Sequence, residues 1–163
     1  FEAATGTFSV TGAGADVGGT TDAFHFVYRR LTGNVDVVAH VRSVERTDPW
    51  AKAGVMIRQT LDPRSAHVSA FVSAQKGVVF QRRTRSASKT AQSTGPAVAA
   101  PYWLKLQRRG VAVIAWTSSD GRVWKLLGVS TIPTSGEVYV GLAVTSHTTA
   151  AAASAVFSDV AVP

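Results

Sequence analysis

Along Tyr102-Trp103-Leu104-Lys105-Leu106-Gln107, residues destined for a core alternate with residues that could meet a ligand. In an extended strand this spacing sends Trp103, Lys105 and Gln107 to one side and Tyr102, Leu104 and Leu106 to the other. An indole with cationic and amide neighbours is chemically suited to a sugar. The ring stacks on the C–H face of a pyranose, while planar donors reach its hydroxyls or carboxylates. The same alternation sets Met56 and Arg58 against Val55 and Ile57, and Val79, Gln81 and Arg83 against Val78 and Phe80. It also sets Tyr139, Gly141, Ala143, Thr145 and His147 against Val138, Val140, Leu142 and Val144. Trp103, Arg58, Arg83, Gln81, Lys105 and His147 are therefore the candidate ligand-binding residues, expected on one polar sheet face. The alternative use of that face is a solvated outer surface. Trp50, in Thr47-Asp48-Pro49-Trp50, is a further candidate: a loop aromatic that either presents a platform or plugs one end of the fold.

Catalysis is not expected. There are only ten acids, and Glu occurs only at Glu2, Glu45 and Glu137. Glycoside hydrolysis needs two carboxyl groups facing one bond. On one strand these would stand an even number of residues apart, and no expected strand carries such a pair. Nothing resembles a nucleophile elbow. His25, His40, His67 and His147 lack metal spacing, and there is no cysteine. Asp16, Asp22 and Asp36, or Glu2 with Asp159 if the termini meet, are candidates for a structural Ca²⁺ site of hard oxygen ligands. Turn and surface acids are the simpler use of them, and no other cofactor is expected.

The elements that must position these residues read as strands. Short period-two runs fall at residues 24–29, 35–44, 53–59, 67–73, 78–83, 102–108, 111–118, 124–130, 138–146 and 155–162, separated by Gly, Pro, Asp or Ser. Asp120-Gly121 between apolar runs predicts a hairpin, with Trp116 and Trp124 packed near each other. Residues 86–100 lack bulky side chains and are expected to form a surface loop, and the glycines at 12, 14, 18 and 19 mark an irregular opening segment. No window keeps helical spacing for three turns, so helix should be minor. The expectation is an all-β, two-sheet antiparallel β-sandwich occupying residues 1–163 as one domain.

Composition agrees. Hydrophobic residues make up 45% of the chain and charged residues 17%. That supports a packed core and excludes a disordered tail. No apolar run approaches the length of a membrane span. Residues 1–10 carry no basic-then-apolar leader, so a mature or excised chain is expected. The net charge of +7 suggests anionic partners, an acidic polymer among them. Nucleic acid is disfavoured, because the aromatic residues are not interleaved with the basic ones as a single-strand binder requires.

Five strings in fixed order extend this reading. They are Thr21-Asp22-Ala23-Phe24-His25-Phe26-Val27-Tyr28, Trp50-Ala51-Lys52-Ala53-Gly54-Val55-Met56-Ile57-Arg58, Pro101-Tyr102-Trp103-Leu104-Lys105-Leu106, Ser118-Ser119-Asp120-Gly121 with Trp124, and Val140-Gly141-Leu142-Ala143-Val144-Thr145-Ser146-His147. Together they resemble bacterial accessory domains of the concanavalin A-like lectin/glucanase (laminin G-like) group. The resemblance implies a jelly roll excised from a larger secreted or cell-surface bacterial protein. It also implies a non-catalytic, extracellular role, often in binding a polysaccharide or oligosaccharide beside a glycoside hydrolase or lyase domain. It supplies no agreed set of binding residues. The paired-carboxylate strand motif of related glucanases is missing from this chain. A structural or adhesive domain packed against a catalytic neighbour is the alternative.

Overall fold

Period-two alternation dominates the chain, and a computed structural model describing residues 1–163 contains fourteen strands and no helix. These are β1 (Phe8–Gly14), β2 (Asp16–Gly18), β3 (Thr21–Ala23), β4 (His25–Leu31), β5 (Val35–Val44), β6 (Lys52–Arg58) and β7 (His67–Ser73). They continue as β8 (Val78–Arg83), β9 (Ala91–Thr94), β10 (Tyr102–Arg109), β11 (Ala112–Ser118), β12 (Lys125–Thr131), β13 (Val138–Thr145) and β14 (Thr148–Ala161). One six-stranded sheet has the order β1-β14-β5-β10-β11-β12; the second has the order β4-β13-β6-β7-β8-β9. All pairings are antiparallel, and the two sheets form a sandwich of the expected jelly-roll class.

The expected inward faces build the core. Val37, Ala39, Val41, Leu104, Leu106, Val113 and Ala115 from the first sheet meet Val55, Ile57, Val68, Val78, Phe80, Val140 and Leu142 from the second. Each valine, leucine, isoleucine or phenylalanine among them contributes about 1.5–3 kcal/mol when fully buried. The Asp120-Gly121 hairpin forms between β11 and β12. Asp120 Oδ1 accepts from the backbone N–H groups of Val123 and Arg122 and lies 2.9 Å from Ser118 Oγ. Those bonds push the Asp120 carboxyl down to about 2.

Three expectations need correction. The opening segment carries β1, β2 and β3. Residues 86–100 include β9, a strand of small polar residues paired to β8. The last strand begins at Thr148, earlier than expected, because the alanine run pairs with β1.

The second sheet departs from the usual antiparallel pattern of one buried and one wet face. Every residue of β6 and β7 is buried. The two-stranded ribbon β2–β3 lies across the outer face, and Val17 joins Met56, Phe71, Val79 and Ala143 in a small second apolar cluster. Phe24, Phe26 and Trp50 pack against its edges.

Candidate functional site

The seven residues singled out by sequence fall on different parts of the sandwich. Trp103 and Lys105 project from β10 on the outer face of the first sheet, while Arg58, Gln81 and Arg83 lie on the outer face of the second. The single shared face does not form, because β10 and β6–β8 belong to different sheets.

Trp103 is enclosed. The His40 ring from β5 stacks on it at 4.4 Å and 6°. Gly121 approaches from the opposite flank, so close that an added Cβ would fall 2.8 Å from Cε2. The ring therefore packs against neighbours on both flanks and is not the open platform expected.

Arg83 and Arg58 are buried beneath the ribbon. Arg83 binds Asp22 through both Nη atoms, at 2.9 and 2.7 Å, and also donates to the carbonyls of Gly18, Gly19, Pro63 and Ser65. Arg58 donates Nε–H to Thr60 O and Nη2–H to Asp62 O, and its Nη1 lies 3.4 Å from Asp22. Gln81 donates to Gln92 Oε1. The sequence placed these three side chains on the correct side of their strands, but the ribbon and the loop of residues 59–66 cover the two arginines, and Gln81 is buried beside Gln92 of β9. His147 has a left-handed backbone, φ 56°. Its Nδ1 lies 3.4 Å from Asp16 Oδ1, at ion-pair distance but without hydrogen-bond geometry. Trp50 is half-buried against the second apolar cluster, with Lys76 Nζ 6.0 Å from its ring.

The candidate Ca²⁺ ligands do not converge. Asp16 binds Lys52 at 2.6 Å, Asp22 binds the two arginines, and Asp36 binds Arg109 and Gln107. Glu2 accepts from Thr5 and Thr7, and Asp159 accepts from Ser158. No group of three potential metal ligands forms.

A different set of side chains makes the more open site. Phe24, Phe26 and Tyr28 alternate along the chain into β4, the edge strand of the second sheet, with ring centroids 5.7 and then 5.3 Å apart. Tyr139 of β13 meets Tyr28 edge-on at 5.2 Å and 77°. Gly141, directly opposite Tyr28, has no side chain to separate the two phenols. Tyr28 is 42% exposed, and neither tyrosine hydroxyl is hydrogen-bonded within the chain. The strip leads into a cleft of about 190 Å³ walled by Phe24, Phe26, Leu61 and Pro63, with Arg58 and Asp22 also lining it. The Arg58 guanidinium lies 5.1 Å from the Phe24 centroid. Four of its five N–H donors have partners, counting a long contact to Met56 Sδ. Sequence reasoning used Arg58 but left out the strip. Its signal was the period-two aromatic series Phe24, Phe26, Tyr28.

No family model and no curated protein matches the chain by sequence. In structure it is similar to a functionally unknown protein from Saccharomyces cerevisiae, with a TM-score of 0.81, 17% identity and coverage of 100% of this chain and 90% of that one. It is similar to the carbohydrate binding module CBM66 from Bacillus subtilis, with a TM-score of 0.61, 20% identity and coverage of 97% and 95%. It is also similar to a GH43 protein from Bacillus licheniformis, with a TM-score of 0.60 and 13% identity, covering 82% of this chain but 28% of that one. At these identities the likeness establishes the fold: a two-sheet β-sandwich of the kind found in carbohydrate-binding and glycoside hydrolase structures.

Proposed function

We propose that this domain is a non-catalytic carbohydrate-binding module that holds a polysaccharide along Phe26, Tyr28 and Tyr139, with one sugar ring entering the cleft beside Arg58. The observation that carries the reading is the continuous aromatic strip leading into that cleft. Its rings offer C–H stacking, and the free phenol hydroxyls offer hydrogen bonds. The likeness to CBM66 supports a sugar ligand. Non-catalysis is supported by the pairing of the acids around the strip and cleft: Asp22 with two arginines, Glu137 with Arg30 and Asp62 with Arg64. The net charge of +7 puts uronate-rich and sulfated glycans first for testing.

Affinity gels cast with neutral and acidic polysaccharides test the proposal. At least one should retard the domain, and Tyr28→Ala with Tyr139→Ala should markedly reduce that retardation. Unretarded migration in every gel would reject it.

A second reading is a structural domain packed against a catalytic neighbour. It is favoured by one observation, that the same fold forms part of a much longer GH43 chain. Tight association of such a neighbour with a domain that has no glycan affinity would decide for it.

A further inference from the structure

On the opposite face of the sandwich, Lys105 occupies an unusual position. It projects outward from β10, opposite Val38 of β5 and Trp116 of β11. Its Nζ lies 4.1 Å from the centroid of Trp124 and 5.6 Å from that of Trp116. The other lysine drawn out of water, Lys52, has a carboxylate at 2.6 Å, as do Arg83 at 2.7 Å and Arg109 on Asp36. Lys105 has neither an ion pair nor a hydrogen bond within the chain. Burial lowers its pKa, with only a weaker opposing pull from Asp36.

We propose that this face is a second saccharide site, which takes a sugar bearing a carboxylate or sulfate, with Lys105 as the anion contact between Trp116 and Trp124. Indole rings attract an ammonium by about 0.5–1 kcal/mol at exposed sites, but they do not neutralise its charge. The surroundings are apolar: Val38 and Ile114 are half-buried, while Leu126 and Val129 are 59% and 56% exposed. An ion pair formed there is less screened than one in open solvent. The remaining recognition groups lie beside the ammonium. Gln107, next outward on β10, donates to Asp36 and leaves its amide oxygen free to accept from a sugar hydroxyl. The indole N–H of Trp116 is buried without an acceptor, so Trp116 contributes its ring and not its N–H. A neutral sugar would use the rings and the amide but leave the ammonium uncompensated. A sugar acid satisfies all three. This site is independent of the β4 strip, so either can fail alone.

The test follows the tryptophan indole N–H resonances by NMR during titration with tetragalacturonate, a sulfated maltotetraose or plain maltotetraose. Both anionic probes, or one of them, should shift the Trp116 and Trp124 signals, and plain maltotetraose should not. The carboxylate and sulfate arms distinguish which anion is preferred. Lys105→Gln should weaken binding at least about tenfold, the scale of one lost charge-assisted hydrogen bond. Lys105→Arg, which retains charge and reach, should stay within about threefold of the original affinity. The Tyr28→Ala, Tyr139→Ala double variant should keep these shifts. No response to either anion, an equal response to plain maltotetraose, or undiminished binding in folded Lys105→Gln would overturn the assignment.

Discussion

The carboxylate of Asp22 accepts from both Nη atoms of Arg83, Oδ1 at 2.7 Å and Oδ2 at 2.9 Å, with both side chains fully buried. This pair changes the meaning of the most polar face of the sandwich. Arg58 and Arg83 would make an anion site if Asp22 were elsewhere. With Asp22 between them, they fasten the β2–β3 ribbon to the second sheet, and ligand contact passes to the uncovered aromatic strip alongside.

Removing the carboxylate should therefore unfasten the ribbon. Asp22→Ala leaves two buried guanidinium groups facing each other without a counter-charge, a change that typically costs 3–5 kcal/mol. Asp22→Asn keeps the shape and one acceptor, so it should cost less. Urea denaturation of the three proteins measures both. A loss under about 0.5 kcal/mol for the alanine variant would place the ribbon's anchorage elsewhere, with Val17 as the next candidate.

Trp103 should matter to stability rather than to glycan binding on the strip. Its indole fills the gap between His40 and the Gly121 turn, so Trp103→Ala should cost about 2–3 kcal/mol, below the range for a fully buried aromatic. Gly121 has φ 72°. A β-carbon there is strained by the backbone and also meets the indole, so Gly121→Ala should cost about 1–2 kcal/mol. Denaturation midpoints check both, and unchanged midpoints would mean the ring is free after all.

These two residues show how far local patterning reaches. β5, β7 and β8 match their expected limits because glycine or polar residues, such as Gly33-Asn34 before β5 and Gln75-Lys76-Gly77 between β7 and β8, punctuate their ends. β2 and β3 escape because each has three residues, too few to display a period, and β9 escapes because its residues are small. Side-chain direction was legible as well: Trp103 and Lys105 do point outward, as do Arg58, Gln81 and Arg83. What covers an outward face was not. Asp22 reaches Arg83 across 61 positions of sequence, and no local period encodes that contact. The aromatic strip was half legible. Phe24, Phe26 and Tyr28 alternate in plain view, but whether they meet core or solvent depends on β13 pairing alongside and on the loop of residues 59–66.

His67 gives the fold a pH dependence whose direction can be worked out. Burial first, then the charges of Arg83, Arg58 and Lys52, holds its pKa well below the ordinary histidine value of 6.5. Below about pH 6.5 the unfolded chain binds a proton that the folded chain refuses, so stability falls as pH falls toward the depressed folded value. The slope from one such group is at most about 1.4 kcal/mol per pH unit. His40, lowered by burial and by Arg42, adds to it in the same direction. Denaturation from pH 7.5 to 5 should therefore show declining stability in the native protein and a shallower decline in His67→Gln. Identical slopes would mean that His67 is protonated in the fold.

Tyr28 and Tyr139 separate stacking from hydrogen bonding on the strip. Tyr28 stands at the solvent-facing end of the ring series, where truncation leaves no internal cavity, so Tyr28→Ala should change stability by less than about 1 kcal/mol. Its effect on the retarding polysaccharide should be larger. Losing a stacked ring typically removes more than about 1 kcal/mol of binding, at least about a fivefold change in Kd. Tyr28→Phe retains the ring and loses only the hydroxyl, worth about 0.5–1.5 kcal/mol as a hydrogen bond, and should fall between the native and alanine proteins. Isothermal titration of all three, repeated at Tyr139, gives the ordering. An equal loss for Phe and Ala would assign the contact to the hydroxyl alone. No loss at either tyrosine would remove the strip from the binding surface, leaving Lys105 and its two tryptophans as the face to pursue.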